Sequence, residues 1–348
     1  MTARVYLDWN ASAPLRPEAR EAVAAALEVT GNPSSVHAEG RAARAIVERA
    51  RRQVAEAIGA QDADVVFTSG ATEAAALALA GRDLSSADIE HDAVMGWTRG
   101  DLAVDGDGRV AITEPAASTV QLANAETGIV QDLPEGLAVS DATQAFGKMP
   151  VAFDWSGCDM MLVSAHKLGG PRGVGALVVR HGLEIEARNR GGGQEMGRRS
   201  GTENVAGIAG FGAAAEAAAR DLANGVWDEV AELRDLLEAA VLDAAPDTVI
   251  IGRSANRLPN TTYMATPGWK GETQVMAMDL AGFAVSAGSA CSSGKVRASR
   301  VLRAMGFDEA TSMGAIRASL GPGVTKDDVL RFAETWGRAR ARFGEKAA

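Results

Sequence analysis

A single lysine separates an apolar run from a glycine-rich exit in the stretch Met160-Met161-Leu162-Val163-Ser164-Ala165-His166-Lys167-Leu168-Gly169-Gly170-Pro171. A short apolar run bounded by glycine and proline predicts a buried strand. Lys167 would therefore stand at the end of that strand, where glycines let the backbone approach a ligand closely. A lysine held in this way can form a Schiff base with an aldehyde cofactor.

The composition is that of an ordinary globular protein with an acidic balance. The chain has 348 residues, of which 47% are hydrophobic and 23% charged, and its net charge is −10. This length favours one large and one smaller domain. The negative charge argues against nucleic acid or an anionic membrane as the main partner. No apolar run reaches the roughly eighteen residues of a membrane span, and the first residues lack a secretory pattern.

The two cysteines, Cys158 and Cys291, are too few for a disulfide framework or a cysteine-rich metal site. We therefore expect a cytoplasmic protein and no metal. Cys291 lies among small polar residues in the stretch 286–294, which is typical of a loop with an accessible, reactive thiol. Cys158 adjoins the predicted strand at 160–163, so we expect it to be structural.

Hydrophobic periodicity and turn residues predict an α/β body followed by an α+β tail. The predicted helices cover residues 15–31, 38–59, 205–223 and 226–244, with others near 271–281, 299–305 and 326–343. The predicted strands cover residues 65–68, 137–140, 160–163 and 176–179, with others near 248–251, 261–265 and 283–286. Between residues 82 and 140, short candidate strands at 110–112 and 119–122 alternate with turns.

Two polar groups follow predicted strands, where a ligand could meet them. The turn at residues 68–72 leads from a strand into an alanine-rich helix, so its backbone N–H groups could hold a phosphate. Asp141 follows the strand at 137–140, where a carboxylate could hold a protonated ring nitrogen. By itself, each is explained at least as well by a simple helix cap.

Three further residues each have a structural alternative. Lys167 could be a surface lysine, although Val163 and the glycines favour an enclosed position in which its pKa falls. A lone histidine such as His91 is usually structural or solvated. Arg317 alternates with apolar residues in a predicted strand, and its planar fork suits a carboxylate, but a surface position fits equally well.

Taken in order, these motifs resemble the cysteine desulfurases, pyridoxal-phosphate enzymes of the class V aminotransferase family with the type I fold. The resemblance runs nearly end to end and rests on the motifs at 6–11, 31–37, 67–73, 126–128, 141–148, 166–167, 191–195, 199–204 and 288–291, and on Arg317. It implies an α/β fold with a mainly parallel central sheet in a large domain, residues 15–245. A smaller α+β domain would comprise residues 1–14 plus 246–348.

The resemblance also implies a role for each candidate residue. Lys167 would hold pyridoxal 5'-phosphate and act as a base, while Asp141 would pair with the ring nitrogen. His91 would stack on the ring and assist proton transfer. Arg317, with Asn32, would hold the substrate carboxylate. The remaining cofactor contacts would come from Gln144 at the ring hydroxyl and, at the phosphate, from Ala71, Thr72, Ser164, His166 and Thr202 of a second subunit.

The implied reaction converts L-cysteine to alanine. The thiolate of Cys291 would attack the substrate sulfur and keep it as a persulfide for an acceptor protein that serves iron–sulfur cluster assembly or tRNA thiolation. The enzyme would be a homodimer. Two alternatives stay open: a related pyridoxal-phosphate lyase or aminotransferase such as a selenocysteine lyase, and a non-catalytic paralogue that acts as a partner protein.

The chain departs from the family pattern in three places. The usual tandem asparagine is replaced by Asn124-Ala125 before Glu126, which leaves a contact of Asn124 with the ring hydroxyl open. The region 92–140 is short, so at least one helix or strand–helix unit is trimmed. The stretch 194–199 shifts the usual arginine pattern.

Overall fold

The computed structural model describes residues 4–288 and 298–347. The α-helices are α1 (Pro17–Leu27), α2 (Ala38–Ile58), α3 (Ala71–Leu79), α4 (Asp92–Met95), α5 (Val205–Ala223), α6 (Val226–Ala244), α7 (Gly271–Leu280), α8 (Arg300–Ala304), α9 (Glu309–Met313) and α10 (Lys326–Ala347). The strands are β1 (Val5–Tyr6), β2 (Ala63–Thr68), β3 (Ser85–Ala87), β4 (Arg99–Leu102), β5 (Thr119–Gln121), β6 (Leu137–Asp141), β7 (Cys158–Ser164), β8 (Gly175–Arg180), β9 (Val249–Ile250), β10 (Thr261–Ala265), β11 (Phe283–Ala284), β12 (Ser286–Ala287) and β13 (Ala315–Ser319).

The central sheet has five strands in the order β2-β8-β7-β6-β5. Strands β5, β6 and β7 are parallel, and β8 runs antiparallel to both of its neighbours, β2 and β7. Four of the five strands therefore share one direction, which confirms the predicted mainly parallel sheet. A parallel bridge between Ser85 and Ser118 links this sheet to the β3–β4 pair.

The central sheet is buried on both faces. Along β7, Met161 and Val163 join a core with α2 and α5, whereas Met160 and Leu162 join a core with α3 on the opposite face. Successive side chains of a strand point to opposite faces, so a strand covered on both sides reads as a continuous apolar run. This is the physical origin of the unbroken run at residues 160–163.

A second sheet of four antiparallel strands, β12-β13-β10-β9, occupies the C-terminal part of the chain. Its core also takes Val5 and Leu7 from the N-terminal segment and Trp227 and Leu237 from α6. Strand β1 pairs in parallel with β11, which brings the start of the chain to this part of the fold. The division into residues 15–245 and the remainder stays a prediction.

The stretch between β4 and β5 differs from the expectation of a strand at 110–112. Val110 makes only a single bridge, with Val104. Its backbone N–H donates instead to the side chain of Gln131, whose amide donates to the carbonyl of Gly108. The side chain of Gln131 thus makes the hydrogen bonds that a neighbouring strand would otherwise make. Between residues 92 and 140, all of which the structure describes, the helices are the one-turn α4 and a three-residue 3-10 turn, Pro115–Ala117.

None of the helices in the described ranges is long and apolar enough to cross a membrane.

We expect the buried ion pair between Glu238 and Arg257 to be a stability determinant that can be tested directly. Both guanidinium nitrogens of Arg257 donate to this carboxylate, at 2.8 and 3.1 Å, and both side chains are less than 5% exposed. Glu238→Ala leaves a buried cation unpaired, so the free energy of unfolding should fall by about 3–5 kcal/mol in chemical denaturation. Exposed Glu229 on the same helix provides the control, since Glu229→Ala should change it by less than about 0.5 kcal/mol.

Candidate active site

A cavity of about 700 Å³ opens at the carboxyl ends of β5, β6 and β7. In open α/β sheets this edge is where ligands bind. The described walls come from four parts of the chain: the segment after β1, the loops after the central strands, the start of α4, and residues 286–288 together with Arg317. The candidate residues that line it are Ala71, Thr72, His91, Asp141, Gln144, Ser164, His166, Lys167 and Arg317.

Lys167 occupies the end of β7, as the sequence predicted. Its Nζ donates to the carbonyl oxygens of Asn10 at 2.6 Å and Ala11 at 3.1 Å. Burial lowers the pKa of Lys167 to about 8, and the positive charge of Arg317 contributes in the same direction. The amine is therefore partly uncharged near neutral pH, which is the form that attacks an aldehyde.

The turn between β2 and α3 presents open backbone donors to the cavity. Gly70 has φ +154° and ψ 178°, a conformation that only glycine adopts without strain. No described side chain caps the start of α3, so its first N–H groups remain available to an anion. Glu73 braces the turn by accepting from the Ser69 N–H at 2.6 Å and from Arg199 at 2.8 Å.

His166 lines the same side of the cavity as an uncharged imidazole. Burial lowers the pKa of His166 to about 4, and the neighbouring charge of Lys167 adds to the effect. Its Nδ1 lies 3.3 Å from the hydroxyl of Ser12. A neutral histidine at this position can donate one hydrogen bond to a phosphate oxygen without carrying charge itself.

Asp141 and Gln144 lie together after β6. The carboxylate of Asp141 is only 9% exposed and accepts from the Thr143 N–H at 2.8 Å. The Gln144 amide donates through Nε2 to the carbonyl of Asn10 at 3.0 Å and accepts through Oε1 from Lys148 at 2.6 Å. One acidic group and one fixed amide thus face the floor of the cavity.

Arg317 reaches the cavity from β13. Its guanidinium donates to Asp8 at 2.8 Å and to the carbonyl of Ala125 at 2.9 Å. Its Nε is buried and has no hydrogen-bond partner among the described residues. A cation held by two acceptors, with a donor to spare, is suited to binding a carboxylate.

Three of the predicted site residues that the structure describes do not line this cavity. Asn124 is buried. Its side-chain nitrogen donates to the carbonyl of Ile89, and its side-chain oxygen accepts from the backbone N–H groups of Glu126 and Thr127. Asn32 is exposed and accepts from the Ser34 N–H. Thr202, predicted to act on a second subunit, is exposed. Cys291 lies outside the described residues.

Several polar residues that the fold brings to the site were not predicted from the sequence. Asn10, Ser12, Glu126 and Arg172 line the cavity, and Lys148 lies buried behind it. Asn10 and Lys148 belong to motifs at 6–11 and 141–148 that carried the resemblance, and Glu126 begins a third motif. Burial raises the pKa of Glu126, whose Oε2 accepts from Tyr263 at 2.8 Å and Ser299 at 2.6 Å.

The family described as aminotransferase class-V matches residues 5–95 and 111–332. The chain belongs to this family. The unmatched residues 96–110 lie in the region that the sequence analysis found to be short. A cysteine desulfurase of Cereibacter sphaeroides is 41% identical over 95% of this chain and 94% of its own. Cysteine desulfurase IscS of Dictyoglomus turgidum is 36% identical over 94% of this chain and 92% of its own.

Solved structures agree with this assignment. A NifS-like protein from Rickettsia africae has a TM-score of 0.88 at 30% identity, covering 97% of this class-V chain and 99% of its own. The apo cysteine desulfurase of Thermococcus onnurineus has a TM-score of 0.83 at 20% identity, covering 97% of this chain and 94% of its own. This similarity supports the fold. The predicted type I fold is confirmed.

Class-V aminotransferases use pyridoxal 5'-phosphate, and the residues of this cavity fit it. The donor set matches the parts of the cofactor: uncapped N–H groups at α3 for the phosphate, the Asp141 carboxylate for the ring nitrogen, and the Lys167 amine for the aldehyde. The buried hydroxyl of Thr143 has no described partner, so the cavity holds a further group for a ligand.

We expect cofactor uptake by the apoenzyme to depend on pH through Lys167. Its pKa of about 8 lies below the ordinary 10.5, so the rate of pyridoxal phosphate incorporation should rise with pH, reach half its maximum near pH 8, and then level off. Stopped-flow absorbance measures this rate. Arg317→Met removes a neighbouring charge and should move the midpoint to higher pH. A wild-type midpoint near 10 would contradict the assignment.

Proposed function

We propose that this protein is an L-cysteine desulfurase that converts cysteine to alanine and keeps the sulfur as a persulfide on Cys291. One observation carries the proposal: Lys167, Asp141 and Arg317, contributed by β7, β6 and β13, converge on a single cavity. Gly288 lines the same cavity and precedes Cys291 by three positions in the sequence.

Pyridoxal phosphate, when bound, supplies an electron sink that stabilises negative charge at the substrate α-carbon. Asp141 supplies the anion opposite the ring nitrogen and strengthens that sink. Ala71, Thr72, Ser164 and His166 would bind the phosphate through backbone and side-chain donors. Gln144 would donate to the ring hydroxyl oxygen. These residues orient the cofactor without themselves exchanging protons.

Lys167 performs the proton transfer at the substrate α-carbon in this proposal. A base works best when its pKa lies near the working pH, and burial brings the pKa of Lys167 to about 8. In this proposal His91, which lines the cavity at the start of α4, assists the transfer. Arg317 binds the substrate carboxylate and fixes the α-carbon relative to Lys167.

Cys291 takes the sulfur. Its thiolate forms a bond to the substrate sulfur while the substrate carbon–sulfur bond breaks. The bonding electrons stay with the carbon fragment, which gains a proton and leaves as alanine. The net change is cysteine plus enzyme thiol to alanine plus enzyme persulfide, with no external oxidant.

We further propose a cytoplasmic homodimer, in which Thr202 completes the phosphate site of the second subunit, and a protein acceptor for the sulfur. The acceptor would serve iron–sulfur cluster assembly or tRNA thiolation. The full-length similarity to cysteine desulfurases favours this function over a selenocysteine lyase or a non-catalytic paralogue. Asn32 does not line the cavity, and its contact with the substrate carboxylate stays a prediction.

Cys291→Ala should abolish alanine formation from cysteine, because the only other cysteine in the sequence, Cys158, is buried in the core. Mass spectrometry of wild-type protein incubated with cysteine should show one added sulfur on Cys291. Cys158 is the matched control: it is fully buried, burial raises the pKa of its thiol to about 11, and Cys158→Ala should keep the activity. Wild-type turnover by the Cys291 variant would refute the persulfide step.

Arg317→Lys should weaken cysteine binding while leaving the cofactor in place. Lysine keeps the positive charge but lacks the planar guanidinium that can donate to Asp8 and to the substrate carboxylate at the same time. A lost charged hydrogen bond costs about 1.5–3 kcal/mol, so kcat/KM should fall by about 10- to 100-fold. Steady-state kinetics measures the change, and an unaltered visible spectrum shows that the cofactor site is intact. An unchanged kcat/KM would place the substrate carboxylate elsewhere.

A further inference from the structure

Lys148 is a buried lysine that the proposed chemistry does not use. It is 1% exposed, and it follows the site residues Asp141 and Gln144 on the loop after β6. Its Nζ donates to two neutral acceptors, the side-chain oxygen of Gln144 at 2.6 Å and that of Asn10 at 3.0 Å. A lysine enclosed in this way is costly to bury, so it needs an explanation.

Asn10 is the residue that connects Lys148 to the site. Its backbone carbonyl accepts from Lys167 at 2.6 Å and from the Gln144 amide at 3.0 Å. Its side-chain oxygen accepts from Lys148 at 3.0 Å and from Asn260 at 3.1 Å. Because Asn10 is only 1% exposed, these bonds are shielded from water and hold their partners in one arrangement.

The two ends of the Gln144 amide are therefore distinguished by their partners. An amide has nearly the same shape when its oxygen and nitrogen are exchanged, so only hydrogen bonding selects the orientation. Lys148 donates and requires the oxygen to face it, whereas the Asn10 carbonyl requires the nitrogen. The nitrogen has a second hydrogen, which remains for an acceptor in the cavity that Gln144 lines.

We propose that Lys148 is a positioning residue that fixes the orientation of the Gln144 amide, so that the amide always presents a donor to the hydroxyl oxygen of the cofactor ring. This inference rests on the proposed function. Lys148 itself touches no reacting atom in this arrangement. It acts through Gln144, and Asn10 holds Gln144 and Lys167 in a common frame.

A double-mutant cycle on cofactor affinity tests the proposal. Lys148→Met keeps the length and apolar stem but removes the donor, so the dissociation constant for pyridoxal phosphate should rise about tenfold, the effect of one lost hydrogen bond. The visible band of the bound cofactor should shift as well. Gln144→Ala should have an effect of similar size. If Lys148 acts through Gln144, the double variant should match Gln144→Ala alone.

Controls separate this effect from a loss of folding. Lys326→Met removes an exposed lysine at the start of α10 and should leave the dissociation constant and the band unchanged. If Lys148→Met does not accumulate as folded protein, Lys148→Leu replaces it in the same cycle, since leucine also lacks a hydrogen-bond donor and the same non-additivity is expected.

Two results would overturn the proposal: additive effects in the double variant, which indicate a purely structural lysine, or an unchanged dissociation constant and band in Lys148→Met. Failure of the proposed function would look different. In that case wild-type protein would itself bind the cofactor without forming alanine from cysteine, whatever the outcome of the cycle.

Discussion

The burial of the central sheet on both faces is the constraint on which the rest of this structure depends. Residues 160–163 of strand β7 give their side chains alternately to two cores, so this stretch carries no polar side chain. The first polar groups become possible where the strand ends, at Ser164 and then Lys167. The parallel neighbours β5 and β6 end at the same edge, which brings Gln121 and Asp141 there too. Because both faces of the sheet are buried, the polar residues of the candidate active site collect at the carboxyl edge of these strands.

The second part of the site comes from sequence far from these strands. The segment after β1 and the strand β13 bridge through Asp8 and Ser319, and both line or support the cavity. Asn10 holds Lys167 across 157 positions of sequence, and Asp8 holds Arg317 across 309. The cofactor residues of the central sheet and the carboxylate-binding arginine therefore meet only when both ends of the chain are in place.

The charges of the site act on one another. Burial lowers the pKa values of both buried lysines; the positive charges of Lys167 and Arg317 lower that of Lys148 further, and the charge of Arg317 lowers that of Lys167. The positive charge suits ligands that bring negative groups, here a phosphate and a carboxylate. The same crowding leaves His166 neutral and Lys167 reactive near neutral pH. Binding and reactivity thus share one physical cause.

The sequence by itself determined the parts of this protein that depend on local patterns. The apolar run and glycines around Lys167 predicted its place at a strand end, and the turn at 68–72 predicted the start of α3, because periodicity and turn residues report local backbone structure. Helices α5 and α6 match their predicted bounds for the same reason.

Only the tertiary structure decided what depends on distant partners. Asn10 and Lys148 gave no local sign of their place in a buried network, since the hydrogen bond that joins them spans 138 positions. The side chain of Asn124 accepts a hydrogen bond from Thr127 in its own loop, and the Val110 N–H donates to the side chain of Gln131 instead of to a neighbouring strand. Hydrogen bonds of this kind are selected by the folded arrangement, in which most buried polar groups are paired.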